Sequence, residues 1–527
     1  MSTADDSGFE FEISRRRLLA AAGLGGAALA GSLAPTAVAA GQARDATETP
    51  AVAGLHLQFG ADAATQMVVS WHTLQSVGRP RVLLGRPNGG LERTVDAETT
   101  SYVDAKTKQT VFAHHVTLGR LRADASYLYG AVHDGAEPRF STLRTAPRGR
   151  APLTFTSFGD QGTPTLGRTY DPPAGVTLPA TLYVNDNLGS PAAADTTLGV
   201  ERLQPLFHLF NGDLCYANLA HDRVRTWWDF WENNSRSASR RPWMPSAGNH
   251  ENELGNGPIG YAAYQTYFRV PAAAGQTDLT RGLWYAFTAG SVRVVSIAND
   301  DVAYQDGGDS YVRGYSAGAQ KAWLAAELAA SRSNPEIDWI VVCMHQVAIS
   351  TADHANGADL GIRKEWVPLF DRYGVDLVVC GHEHHYERSH PIRGSQTNST
   401  LTPLAVATSG GVIDTSQGTV HMVIGGGGTS KPSNKLFFDP PQCRVITAVG
   451  EPDPRTGRRP PVYVHEAAAW SAVRNGANAY GLAAFEVDPG SRPGGPTTMK
   501  VTYYDVVGTD GQLSPFESFT LRRLRRD

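Results

Sequence analysis

At 527 residues the chain is too long for one simple domain, and several sizeable cores are expected. Its 41% hydrophobic and 19% charged residues are an ordinary globular balance, and a net charge of −4 leaves no broad basic field for nucleic acid or anionic lipid. Four cysteines, none in a C-x-x-C pair, exclude a disulfide scaffold and argue against a thiolate zinc site; one disulfide stays open.

The first segment lies outside any fold. Arg15, Arg16 and Arg17 precede a Gly/Ala-rich, weakly apolar run, and small residues follow at Ala37, Val38, Ala39 and Ala40. Residues 1–40 therefore read as a secretory signal with an A-x-A type cleavage site, and Ser-Arg-Arg-x-Leu-Leu resembles a bacterial twin-arginine signal. A membrane anchor is the competing reading, but the run is short and glycine-rich for a span. No later segment is long and uncharged enough to span, so a secreted or extracytoplasmic protein with no membrane span in its mature form is expected.

Residues 51–148 read as all-β. Short runs such as TQMVVSWHT, PRVLLG, VFAHHVTLG and SYLYGAVHDG, separated by turn residues, have the spacing of a sandwich similar to fibronectin type III, with Trp71 and Tyr129 in its core. His114 and His115 are read as strand residues. From 149 to 527 the pattern changes. Near-continuous apolar runs (PLTFTSF, LFHLF, VRVVSIA, WIVVCM, VDLVVC, TVHMVIG) alternate with helical stretches, which argues for an α/β core of strands buried on both faces. Strands return from about 478 to 527. The stretches 163–200 and 391–418, rich in Pro, Gly, Ser and Thr, read as loop insertions.

Five apolar segments each end in metal-capable side chains: TFTSFGDQG in Asp160, LFHLFNGDLCY in Asp213 and Tyr216, PWMPSAGNHE in Asn249 and His250, IVVCMHQ in His345, and DLVVCGHEHHYER in His382 and His384. The crevice beyond the carboxyl ends of strands is where α/β sheets bind ligands, so these groups can converge from distant parts of the chain. Two aspartates, an asparagine, a tyrosine and three histidines form a mixed O/N set suited to Fe, Zn or Mn. Two ions sharing one carboxylate would activate a water and clamp an in-line phosphoryl displacement.

The ordered motifs GDQG, GDLCY, GNHE, VCMH and GHEHHYER resemble those of the purple acid phosphatases, within the calcineurin-like metallophosphoesterases. The resemblance implies an αββα four-layer sandwich, two mixed sheets face to face with helices outside, preceded by the all-β fibronectin-like sandwich. It implies Asp160, Tyr216 and His384 as ligands of Fe(III), Asp213 as the bridging carboxylate, and Asn249, His345 and His382 as ligands of a divalent Fe, Zn or Mn ion. His250 becomes a contact to the substrate phosphate and His354 a further catalytic histidine. Cys215 is read as packing beneath the site and His221 as belonging to the following helix. His385 is expected to point away from the metals, and Glu387 and Arg388 to brace the ligand loop.

The expected activity is that of an exported acid phosphatase hydrolysing small phosphomonoesters by attack of a metal-bound hydroxide. A phosphodiesterase or nucleotide hydrolase with Mn or Zn is the alternative on the same fold. An extracellular binding protein with a dead phosphatase domain is the alternative of another class, against which the complete ligand set argues. Oligomeric state is left open.

Overall fold

The computed structural model describes residues 49–164, 188–254, 259–304, 313–408, 410–455 and 459–527. The export signal of residues 1–40, and residues 165–187 of the first insertion, lie outside these. Among the described residues no helix is long and apolar enough to cross a membrane.

Two four-stranded antiparallel sheets come first. One orders Ala53–Phe59, Met67–Thr73, Thr110–Leu118 and Glu98–Val103; the other orders Arg93–Asp96, Arg81–Gly85, Ser126–Val132 and Arg139–Arg144. Trp71 and Tyr129 are fully buried, as expected of core aromatics. The sandwich packs on the rest of the chain through the helix Arg223–Ala238. Asp222 caps that helix by accepting from the Arg225 N–H at 2.9 Å. Trp227, Phe230 and Trp231 form its buried face, and His56 of the sandwich stacks on Trp231 at 3.8 Å.

Two seven-stranded mixed sheets make the larger unit. In the first, Trp243–Pro245, Phe207–Phe210 and Leu153–Phe158 run parallel. The antiparallel strands Gly481–Asp488, Pro496–Val507 and Gln512–Leu524 extend this sheet, so the C-terminal segment pairs directly with the strand that precedes Asp160. In the second, Val292–Ser296, Trp339–Cys343, Leu377–Cys380 and Val420–Ile424 run parallel. Trp339–Cys343 is buried at every position, as a strand covered on both faces must be. The sheets meet face to face: Tyr386 stacks on Tyr503 at 3.8 Å, and the Trp339 indole donates to Thr497 Oγ1 at 3.2 Å.

The helix Ala319–Ser333 buries Leu324 and Leu328, with Trp323 half-buried beside them. The stretch RKEWVPLFDRYG forms two short helices, Leu360–Glu365 and Val367–Tyr373, because Pro368 lacks the N–H needed to continue the first. Gly374, at φ 62°, ends the second. The insertions also carry regular structure. Ala192–Leu203 is a helix, and Ile392–Ser395, Pro403–Ala405 and Val412–Asp414 are strands.

Candidate metal centre

The parallel strands of both sheets end at one crevice. From the first sheet emerge Asp160, Asp213 and Asn249; from the second, His345, His382 and His384. Asp160, Asp213, Tyr216 and His382 all have φ between +51° and +71°. Such backbone costs roughly 1–3 kcal/mol for each side chain and is concentrated at functional sites.

The motif glycines have a steric reason. A Cβ on Gly212 would lie 2.7 Å from the His345 ring, one on Gly248 2.3 Å from Asp213 Oδ1, and one on Gly381 2.3 Å from Asp160 Oδ2. Each of these three glycines thus makes room for another candidate ligand from a different motif.

Four donor atoms converge on one point. His345 Nε2 lies 3.0 Å from Asp213 Oδ2, 3.1 Å from Asn249 Oδ1 and 3.1 Å from His382 Nδ1. The other ring nitrogen, Nδ1, sits 2.8 Å from the Asn211 carbonyl and donates to it, which leaves Nε2 bare. Even a hydrogen on Nε2 could serve only one of three partners, whereas a cation among them satisfies all four. Asp213, His345 and His382 meet the spacing of metal-holding groups. The local field favours positive charge: burial opposes protonation of His345, but Asp213 and Asp160 outweigh it and push its pKa up to about 10.

A second trio lies beside the first. Tyr216 Oη donates to Asp160 Oδ1 at 3.2 Å and lies 3.2 Å from His384 Nε2, which is 3.4 Å from Asp160 Oδ1. His384 Nδ1 donates to the Lys431 carbonyl at 2.6 Å, again freeing Nε2. Burial, then the Asp160 and Asp213 carboxylates, push the Tyr216 phenol well above its ordinary range. A phenolate here requires a cation. The donor set fits two metal ions, with Asp213 acting electrostatically on both groups.

Other residues hold these donors. Glu251 accepts backbone N–H bonds from Asp213 (2.9 Å), Leu214 (2.8 Å) and Gly248 (2.7 Å), joining two ligand loops. Burial and the charge of Asp213 push its pKa up to about 8, against the Leu214 and Gly248 N–H groups. Asn299 Oδ1 accepts the His345 N–H at 2.7 Å. Asn218 Oδ1 accepts from His250 Nδ1 at 2.9 Å, and the His250 N–H donates to Asp213 Oδ1 at 2.9 Å. Sequence reasoning missed Glu251, Asn211, Asn299 and Asn218. Three of the four stand within two residues of a ligand, which was the only signal available.

His354 stands apart from this cluster. Its side chain is 83% exposed, and its described contacts are with Asp353. Its loop touches the ligand segment through Asn356, which donates to the His382 carbonyl at 2.7 Å. His385 turns to Ser433 and Glu387, away from the donors. Glu387 accepts from the Thr351 N–H and hydroxyl, bracing the loop after His345. Arg388 instead pairs with Glu517 of the facing sheet at 2.5 Å. All four cysteines are buried and free, Cys215 among them, and His221 is an exposed residue next to the Asp222 cap.

Comparison with known proteins bears on the family and the fold. The family described as purple acid phosphatase, N-terminal domain, matches residues 52–145, and calcineurin-like phosphoesterase matches residues 182–386. An uncharacterized protein of Mycobacterium tuberculosis is 59% identical over 97% of this chain and 96% of its own length. A purple acid phosphatase of Glycine max is 26% identical over 71% of this chain and 72% of its own. The structure of a purple acid phosphatase from yellow lupin (Lupinus luteus) seeds shares the fold, with a TM-score of 0.63 at 19% identity over 89% of this chain and 74% of that one.

Proposed function

The chain belongs to the purple acid phosphatase family of calcineurin-like metallophosphoesterases, and from that premise we propose that it is an exported acid phosphatase hydrolysing small phosphomonoesters at a binuclear centre of Fe(III) and a divalent ion. The reading is carried by the convergence of Asp213, Asn249, His345 and His382 donor atoms beside the Tyr216–Asp160–His384 trio. Asp160, Tyr216 and His384 would hold the ferric ion, Asn249, His345 and His382 the divalent one, and Asp213 both. Bound ions supply Lewis-acid activation of water and neutralise charge on the phosphoryl group.

The chain's own side chains do the rest. His250 is 16% exposed at the crevice and oriented by Asn218, so it can meet a phosphoryl oxygen and pass a proton toward the leaving oxygen. Glu251 keeps the Asp213 and Asn249 loops in register. His354, exposed beside Asp353, is kept in this reading as a further contact to the leaving group. Dependence on histidine protonation leads to an acidic optimum. Residues 1–40 supply the twin-arginine export signal, 51–148 the fibronectin-like domain and 149–527 the catalytic domain.

The test is metal analysis of the purified protein together with its visible spectrum and its rates on a panel of mono- and diesters. Iron plus a second ion, a tyrosinate-to-iron band and faster monoester turnover are expected. Preference for diesters by a colourless Mn or Zn protein would overturn the assignment of substrate and metal.

A further inference from the structure

We propose that Lys106, which belongs to the N-terminal sandwich, is a positioning residue for the catalytic crevice: it clamps the loop whose Asn218 orients His250. The inference rests on the reading of His250 as a contact to the substrate phosphate.

Lys106 lies in the turn between the strands Glu98–Val103 and Thr110–Leu118. Asp104 stiffens that turn by accepting from the Lys106 and Thr107 N–H groups at 3.0 and 2.5 Å. The Lys106 ammonium reaches across to the larger unit and donates to the carbonyls of Asn218 and Ala220, both at 2.9 Å. These carbonyls belong to the turn that follows Tyr216. Asn218 then accepts from His250 Nδ1, while its own Nδ2 is buried without a partner among the described residues. With only one end of the amide tied, the direction of this side chain depends on its backbone, which Lys106 holds.

A second tie runs from the same turn to the other half of the crevice. Asp104 Oδ1 lies 3.7 Å from Arg223 Nη1, which is 3.7 Å from Glu253 Oε2, and Arg223 Nη2 donates to the Glu253 carbonyl. Glu253 closes the segment that carries Asn249, His250 and Glu251. One sandwich turn therefore grips both segments that meet at His250. A hydrogen-bonded ammonium on two carbonyls fixes their spacing, and small displacements of a positioned group are expensive in rate.

The experiment compares Lys106→Met, Lys106→Arg, His250→Ala and the double variant Lys106→Met/His250→Ala in the full-length, metal-loaded protein. The readouts are the dissociation constant of inorganic phosphate by calorimetry, kcat and KM on a phosphomonoester, and metal content. Lys106→Met is expected to weaken phosphate binding and lower kcat/KM by about 10-fold at unchanged metal content. Lys106→Arg should recover most of that loss, and Lys106→Met should add nothing in the His250→Ala background. Wild-type behaviour of Lys106→Met beside an impaired His250→Ala overturns the proposal alone. A loss that persists in full without His250, or that follows loss of metal, also overturns it. An unimpaired His250→Ala overturns the reading of His250 and the proposal with it.

Discussion

Replacing Gly248 by alanine tests whether the crevice is as closely built as its motifs require. Gly248 has φ −94° and ψ −178°, extended backbone that alanine adopts freely, so the substitution probes space alone. The added Cβ would meet Asp213 Oδ1 at 2.3 Å, the Asp213 backbone nitrogen at 2.5 Å and His345 Cγ at 2.9 Å. Rotating the carboxylate relieves the first contact but not the second, because the nitrogen is held to Glu251. Moving from 2.5 Å to the roughly 3.0 Å at which Cβ contacts begin shifts the Asp213 loop by about 0.5 Å. Overpacking of this kind costs about 1–3 kcal/mol, and the displaced groups are two candidate metal ligands. At about 1.4 kcal/mol per factor of ten, metal affinity and kcat/KM should fall by about 5- to 140-fold. Metal content after dialysis, kcat/KM and circular dichroism measure this, with Gly119→Ala, where a Cβ meets nothing within 4 Å, as the control. Gly248→Ala with full metal content and wild-type kcat/KM would refute the argument.

Three further outcomes follow from the same structure. Tyr216→Phe should abolish a visible tyrosinate band while Asp160 and His384 still retain some metal; a band of unchanged intensity would assign the colour elsewhere. Removing metal with a chelator should lower the thermal midpoint, and adding it back should restore it, since a ligand at 100 times its dissociation constant stabilises by about 2.7 kcal/mol; a midpoint indifferent to chelation would count against bound metal. Stability should also fall in acid. Burial lowers the pKa of His56 to about 4 and of His72 and His115 to about 3, where the sandwich meets the helical segments. Their unfolded forms bind protons near pH ~6.5, so this contribution is complete above that pH and is lost as pH falls toward 3 to 4, by about 1.4 kcal/mol per unit for each imidazole. His72→Phe should flatten that slope in a pH series of thermal melts, and an unchanged slope would remove His72 from the account.

Much of the site was legible because of how strands work. A strand buried on both faces reads as a largely apolar run, and ligand-binding groups stand just beyond its carboxyl end. Asp160, Asp213, Asn249, His345 and His382 could therefore be found by where the apolar runs stop, and Tyr216 and His384 by their spacing from those ends. The same logic separated the sandwich strands from the mixed sheets. It failed where composition misled: residues 192–200 and 391–418 read as loops yet carry a helix and three short strands, because tertiary pairing overrides Gly and Pro content.

Residue types and their order along the chain were enough to establish what kind of atoms the crevice holds. Only the tertiary structure decided what fixes them. The Glu251 carboxylate binds a backbone 38 residues away, the Asn211 carbonyl sets the free nitrogen of a histidine 134 residues away, and Lys106 reaches a turn 112 residues away in another layer. Such contacts leave no periodicity or spacing in the sequence, since each depends on where two separately folded segments come to rest. For the same reason His354, singled out only by a loose spacing after His345, stands exposed while Asn218, unmarked in the sequence, lies against His250.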